Sequence, residues 1–382
     1  MFSHRFAVAV SLGLLAFLAA PQAAWALEPA SLPVAEFNEP ALLEALDELA
    51  AVKAGDAKVW LEKRAAVTAF GGNALPALEQ AAKLEHWTRE GYPRALAAEV
   101  CRLRISQPEL AKVVDQPRGI NPEVYRQFRH GKPSCHRDFA HAGNSIVPLL
   151  LEALVFTLPE RKFSSAESGQ LERDTLLAAL VQVPGEKFDG RARFVLEDVL
   201  KSGSHGDGLR ALAAVSYAQC AGAEGLALLD EVVSSASTPL RVREGAAMAL
   251  GWVADAKALA SVKSRLDSPG LRGEGEDAVA LRRALIVALG TLGNSGGWQA
   301  RGAEKAELAR EMRAGCAAVL VVCLRDFPAD VEFISSALCA VAWKDSLGEV
   351  RKLAEDASGA EAVHKAARQI LPLLEMAVAR ER

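Results

Sequence analysis

The chain has no excess of positive charge: 44 Lys and Arg stand against 48 Asp and Glu, a formal net charge of −4 over 382 residues. That excludes a strongly basic nucleic-acid binder, and no long Lys/Arg run supplies a local substitute. Cysteine is scarce, with six residues, and none stands in a CxxC pair. A zinc ribbon, a thioredoxin-like site and a haem attachment motif are thereby excluded. Pro (17) and Gly (29) are too few for a fibrous or low-complexity chain. There is no G-x-x-x-x-G-K-[ST] loop, no G-x-G-x-x-G fingerprint, and no G-x-S-x-G elbow between a strand and a helix. What is present is an ordinary globular balance, 51% hydrophobic and 24% charged, which argues against wholesale disorder.

The first segment reads as an address. Arg5 gives a basic start, residues 6–20 are an apolar core, and Ala24-Trp25-Ala26 offers small residues for cleavage. This is the layout of a secretory signal peptide, expected over residues 1–26 and cut near Ala26. The apolar core is shorter than the ~20 residues a membrane span needs. Beyond it the longest apolar stretch is residues 315–324, also too short, so no transmembrane segment is expected in the mature chain. The Ala-rich, Lys-poor style points to a bacterium, hence to a periplasmic or secreted protein.

A repeat follows. With an offset of 33, Arg210 falls on Arg243, Ala214 on Ala247, Leu226 on Leu259, Leu229 on Val262 and Val233 on Leu266. The apolar positions match while the others drift, so one unit is copied with its core face kept. Leu226, Leu229 and Val233 are spaced 0, 3, 7, one stripe of a helix, and so are Leu259, Val262 and Leu266. The same spacing recurs at Leu75, Leu78 and Ala82, at Val147, Leu150 and Leu154, and at Leu347, Val350 and Ala354. The preceding helix is denser: Leu281, Ala284, Leu285, Ala288, Leu289 and Leu292 form a wide apolar face. Gly71, Gly251 and Gly290 mark the turns between paired helices, followed by the cap residues Asn73, Asp255 and Asn294, with Asn144 in a further copy.

The pattern V-R-x-x-A-A-x-A-L-G, a short turn with Asp or Asn, then A-L-x-x-V-x-x-x-L, resembles the HEAT-like repeat of the phycobilin-lyase type. The best copies are Val242–Leu266 and Leu281–Asn294, with a third at Ala65–Ala82 and weaker ones at 143–155, 206–233 and 330–355. The resemblance implies an all-α superhelical solenoid of antiparallel helix pairs. Most proteins of this kind are binding scaffolds, and a minority, bilin lyases and hydroxylases among them, act on cofactors. The paired His-Glu metal motifs of the hydroxylase type have no match here.

Physically, a lone helix pair cannot bury its own apolar face, so units must stack. The expected division is N-terminal repeats over 27–160 with an irregular segment at 107–142, linking helices and loops over 161–205, and C-terminal repeats over 206–382. Residues 160–169, 183–190 and 268–277 read as polar or Pro/Gly loops; the first two either split the array into lobes or are long inter-repeat loops.

The densest polar cluster offers His130, Cys135, His136, Asp138 and His141 within a dozen residues. These are zinc or copper ligands by type, but His136 and His141 are five apart and fall on different helical faces. Arg126, Arg129, Lys132 and Arg137 make the segment locally basic. Carboxylates otherwise read as scattered helix-surface positions. Cys101 and Cys135 flank the irregular stretch and are the foremost candidates for a disulfide; Cys316, Cys323 and Cys339 read as buried thiols. The resulting expectation is a non-catalytic exported scaffold, not an enzyme, without metal or cofactor, that binds a protein or peptide along its concave face. The alternative is an exported enzyme or enzyme subunit with a metal or cofactor site near residues 130–141.

Overall fold

The computed structural model describes residues 38–116, 134–158, 166–294, 306–356 and 360–380, and every regular element among them is helical. The signal-peptide segment, the polar run 159–165 and the basic residues Arg126, Arg129 and Lys132 lie outside them. The chain is an all-α solenoid. Among the described residues, seven helices make up the first part: α1 (Glu39–Ala50), α2 (Ala57–Thr68), α3 (Leu75–Ala81), α4 (Tyr92–Ser106), α5 (Pro108–Asp115), α6 (Ser134–His141) and α7 (Val147–Glu152). Then come α8 (Ala166–Glu186), α9 (Arg193–Lys201), α10 (Asp207–Ala221), α11 (Leu226–Ser234), α12 (Leu240–Ala249) and α13 (Ala256–Leu266). The last five are α14 (Glu276–Leu292), α15 (Ala306–Asp326), α16 (Val331–Val341), α17 (Lys344–Glu355) and α18 (Glu361–Arg380).

The second part stacks in two rows. In the first-helix row α10 packs on α8 and α12, α12 on α14, α14 on α16 and α16 on α18. In the second-helix row α15 packs on both α13 and α17. In the first part α4 is the hub, touching α1, α2, α3, α5 and α7. Buried apolar side chains connect into one cluster from Leu42 to Val378. The 0, 3, 7 stripes supply it: Leu78, Leu150, Leu229, Val262 and Val350 are all 0% exposed, and Leu226, Leu259 and Leu347 are half-buried behind them. The dense face of α14 is buried throughout.

The matched arginines have a shared job. Arg210 Nε donates to the Leu200 carbonyl (3.0 Å) and Arg243 Nε to the Val233 carbonyl (3.1 Å). Each arginine sits early in a first helix and satisfies the penultimate carbonyl of the second helix before it, where intrahelical partners run out. Arg282 Nη1 makes a related bond, to the Leu271 carbonyl (2.8 Å) that ends the 3-10 turn after α13.

Several local expectations are corrected. Of the expected cap residues Asp255 does cap, accepting from the Lys257 amide at 2.8 Å. Asn73 and Asn144 lie inside 3-10 turns with no side-chain cap bond, because those turns bond through their own backbone. Asn294 closes α14 beyond Gly293. Gly290 is no turn: α14 runs on to Leu292, and the glycine is where α16 crosses, since a Cβ there would lie 2.9 Å from Ala337 Cα. Gly71 and Gly222 do take positive φ, +62° and +57°. The expected loop 183–190 begins only at Lys187. α8 continues through Pro184 and Gly185, whose missing side chain lets Ser216 of α10 approach (an added Cβ would meet Ser216 Cα at 2.7 Å). The irregular segment 107–142 contains two helices, α5 and α6, and 117–133 lies outside the described residues. Asp207–Ser234 is apolar and long enough to cross a bilayer by composition, but Gly222 breaks it into α10 and α11.

Candidate functional site

Little of the His-rich segment converges. His130 and the Cys135 side chain lie outside the described residues. On α6, His136 and Phe139 point inward, 2% and 0% exposed, while His141 at the helix end is exposed. His136 Nε2 lies 3.0 Å from Glu186 Oε2, an ion-pair distance out of line for a hydrogen bond. Among the described residues no three His, Cys, Asp or Glu side chains gather in a metal-binding group. Cys101 is a buried free thiol on α4, and burial beside the Glu152 carboxylate pushes its pKa up to about 12.

The carboxylates hold what the sequence reading missed. Glu152, at the end of α7, is 0% exposed. Trp60 Nε1 of α2 donates to its Oε1 at 2.8 Å, and Arg64, one turn on, pairs with the same oxygen. Arg104 of α4 donates to Oε2 through Nη2 at 2.7 Å and through Nε at 3.1 Å. Arg104 also grips both oxygens of Asp115 at 2.8 and 2.9 Å, and the Trp60 ring stacks on Phe156 at 3.8 Å. Asp330 repeats the theme near the other end: 1% exposed, it accepts from Arg282 Nε at 2.6 Å and Arg283 Nε at 2.7 Å. These carboxylates are not scattered surface positions. The signal was available for Glu152, a lone acid closing the run Val147-Pro-Leu-Leu-Leu, since a buried charge must be paired. Held by arginines from other helices, both acids tie helices together.

Open space lies elsewhere. A cleft of about 900 Å³ sits where α11 and α13 end and α14 begins, with Ser264, Ser268, Gly270 and Ala278 in its wall. Its charged groups are engaged inside the array: Arg265 donates to Asp230 Oδ1 (2.9 Å) and to Ser234 Oγ (2.9 Å), and Arg243 Nη1 to Asp277 (3.3 Å). A second groove, about 650 Å³, runs between α12 and α14 on the open side of the first-helix row. Met248, Val279, Ala280 and Val287 floor it, and Phe333 of α16 closes one side under the Arg283 guanidinium, 5.0 Å from the ring centre. Among the described residues no tryptophan lines these two spaces. Trp60 and Trp87 are buried at 1% and 4% exposure, and Trp252 and Trp343 are half-buried in the array.

No family model and no curated protein matches the chain. Among solved structures it is similar to human deoxyhypusine hydroxylase in complex with glycerol, at 17% identity and a TM-score of 0.28, covering 70% of this chain and 96% of that one. The expectation that the chain is not an enzyme is corrected by this comparison, because the similar structure is that of a hydroxylase. A likeness this distant transfers no reaction, metal or residue role to this chain.

Proposed function

We propose that this helical-repeat protein is exported and binds a protein or peptide partner through the open side of its first-helix row. One observation carries the reading. The α12–α14 groove gathers four apolar side chains that stacking leaves half-buried, Met248, Val279, Ala280 and Val287, in one concave strip. Apolar surface that stacking leaves uncovered is a liability unless something else covers it.

Photo-crosslinking tests it in cells that make the chain natively. A crosslinking residue is placed at Arg241 or Met248 on the first-helix side, and at Lys257 or Lys263, both exposed, on the second-helix side. A discrete crosslinked partner from the first-helix positions is the expected result. No partner from any position removes the reading. Export is checked separately by N-terminal sequencing, with the mature chain expected to begin near Leu27.

A further inference from the structure

The α12–α14 groove has a length, a floor and a charge pattern. Its lining on α14 runs from Glu276 to Val287, about 16 Å at 1.5 Å per residue, or three helical turns. The charged groups gather where α12 and α14 begin, at Arg241, Glu274 and Glu276. Met248 and Val287 lie two to three turns further along. Arg283 is already committed to Asp330 at 2.7 Å and to the Phe333 ring. That leaves three carboxylates, Glu244, Glu274 and Glu276, against one guanidinium, Arg241, around the groove. The groove is therefore acidic at one end and mainly apolar further along, where the paired Arg283 is the one charged side chain in the lining.

We propose that this groove docks a short amphipathic helix of a protein partner, with Lys or Arg on its first turn and large apolar side chains on the next two. The proposal rests on the protein-binding reading and narrows it to one site and one chemistry. A helix in a groove offers apolar anchors at 0, 3 and 7, which three turns accommodate. Lys or Arg at the acidic end sets the direction of docking, because the reversed helix would place its cations on Val287 and Met248 and leave the carboxylates unmatched. An acidic peptide is disfavoured for the same reason.

The test uses the full chain and a fluorescent 14-residue Ala-based helical peptide with three Lys on its first turn and Leu at 0, 3, 7 spacing after them. Its affinity is read by anisotropy against the wild type and Glu274→Lys/Glu276→Lys. Both glutamates are exposed, so the double variant keeps its fold, and an unchanged thermal midpoint verifies that. Binding to the wild type, weakened at least about tenfold in the double variant and recovered by the variant with a Lys→Glu peptide, is expected. Equal affinity for the two proteins, or no binding to the wild type, overturns the proposal. The crosslinking experiment separates the two failures. A partner captured only from Lys257 or Lys263 removes this groove and the first-helix side but leaves protein binding standing, whereas no partner at any position removes both.

Discussion

Leu250 and Lys263 belong to one helix pair and have opposite fates. Leu250 is 0% exposed just before Gly251, whereas Lys263 is exposed on α13. Leu250→Asp buries an unpaired charge and should cost several kcal/mol, ~3 or more, while Lys263→Asp stays within ~0.5. Denaturant unfolding of the two variants checks this, and equal midpoints would mean the helix phase is misread. The residue scale also sets a pH dependence. Burial raises the Cys101, Cys316 and Cys323 thiols from 9.0 to about 12, and burial with the neighbouring Asp198 raises Tyr92 from 10.0 to about 12. Burial likewise lifts Tyr217 to about 12. All five are held protonated by the fold. Their contribution is complete below the unfolded values near 9 and 10 and is lost as pH climbs towards 12. The thermal midpoint should therefore fall between pH 9 and 12, and Tyr92→Phe, which gives up the 2.9 Å bond to Asp198, should flatten the upper part of that fall. A midpoint independent of pH over that range would contradict it. The phase of Leu250 was legible because helix periodicity is local; the thiols' burial depends on which helix lands on them.

At the scale of elements, stacking depends on glycines that let first helices approach. A Cβ at Gly245 of α12 would lie 2.6 Å from the Ala211 backbone of α10, and one at Gly251 would lie 2.7 Å from the Ala288 carbonyl. Gly208, on the first turn of α10, faces open space. Gly245→Ala should destabilise by about 1–3 kcal/mol through overpacking. Gly208→Ala should be neutral or stabilising by up to about 1 kcal/mol, since alanine is the better helix former. Calorimetry of both variants decides it, and a harmless Gly245→Ala would mean the helices are not so close. The repeated Arg-to-carbonyl bond is the other inter-element device. Its arginines were visible in the sequence as an offset of 33, but their acceptors were not. A sequence match shows that a residue recurs, and only the neighbouring helix end shows what it bonds. Asn73 and Asn144 fail as caps for a related reason: they lie inside the 3-10 turns Gly71–Ala74 and Asn144–Ile146, past the cap positions Phe70 and Gly143.

Across the whole molecule, each helix pair leans on its neighbours, so opening should be graded along the array. The terminal α18 packs mainly on α16 and α17. Leu374→Ala, which hollows its buried face, should accelerate amide exchange in α18 while leaving α10 and α12 protected. Global loss of protection in that variant would mean that the array unfolds as one unit. Glu152 is the contrasting case, because it ties α2 and α4 to its own α7. Glu152→Ala strands Arg64 and leaves Arg104 with Asp115 alone, and should cost about 3–5 kcal/mol, with α2, α4 and α7 losing protection together.

The sequence by itself determined the solenoid, the 0, 3, 7 stripes and the dense apolar face of α14. All of these rest on contacts between side chains three to eight residues apart, and a helix repeats those wherever its pattern repeats. Only the tertiary structure decided the two ion networks and the groove. Trp60, Arg64 and Arg104 reach Glu152 across 92, 88 and 48 residues, and Arg282 reaches Asp330 across 48. At such separations no periodicity links the partners. Their meeting is fixed by how far each helix slides and rotates on the next, which the packing of many small buried side chains settles together.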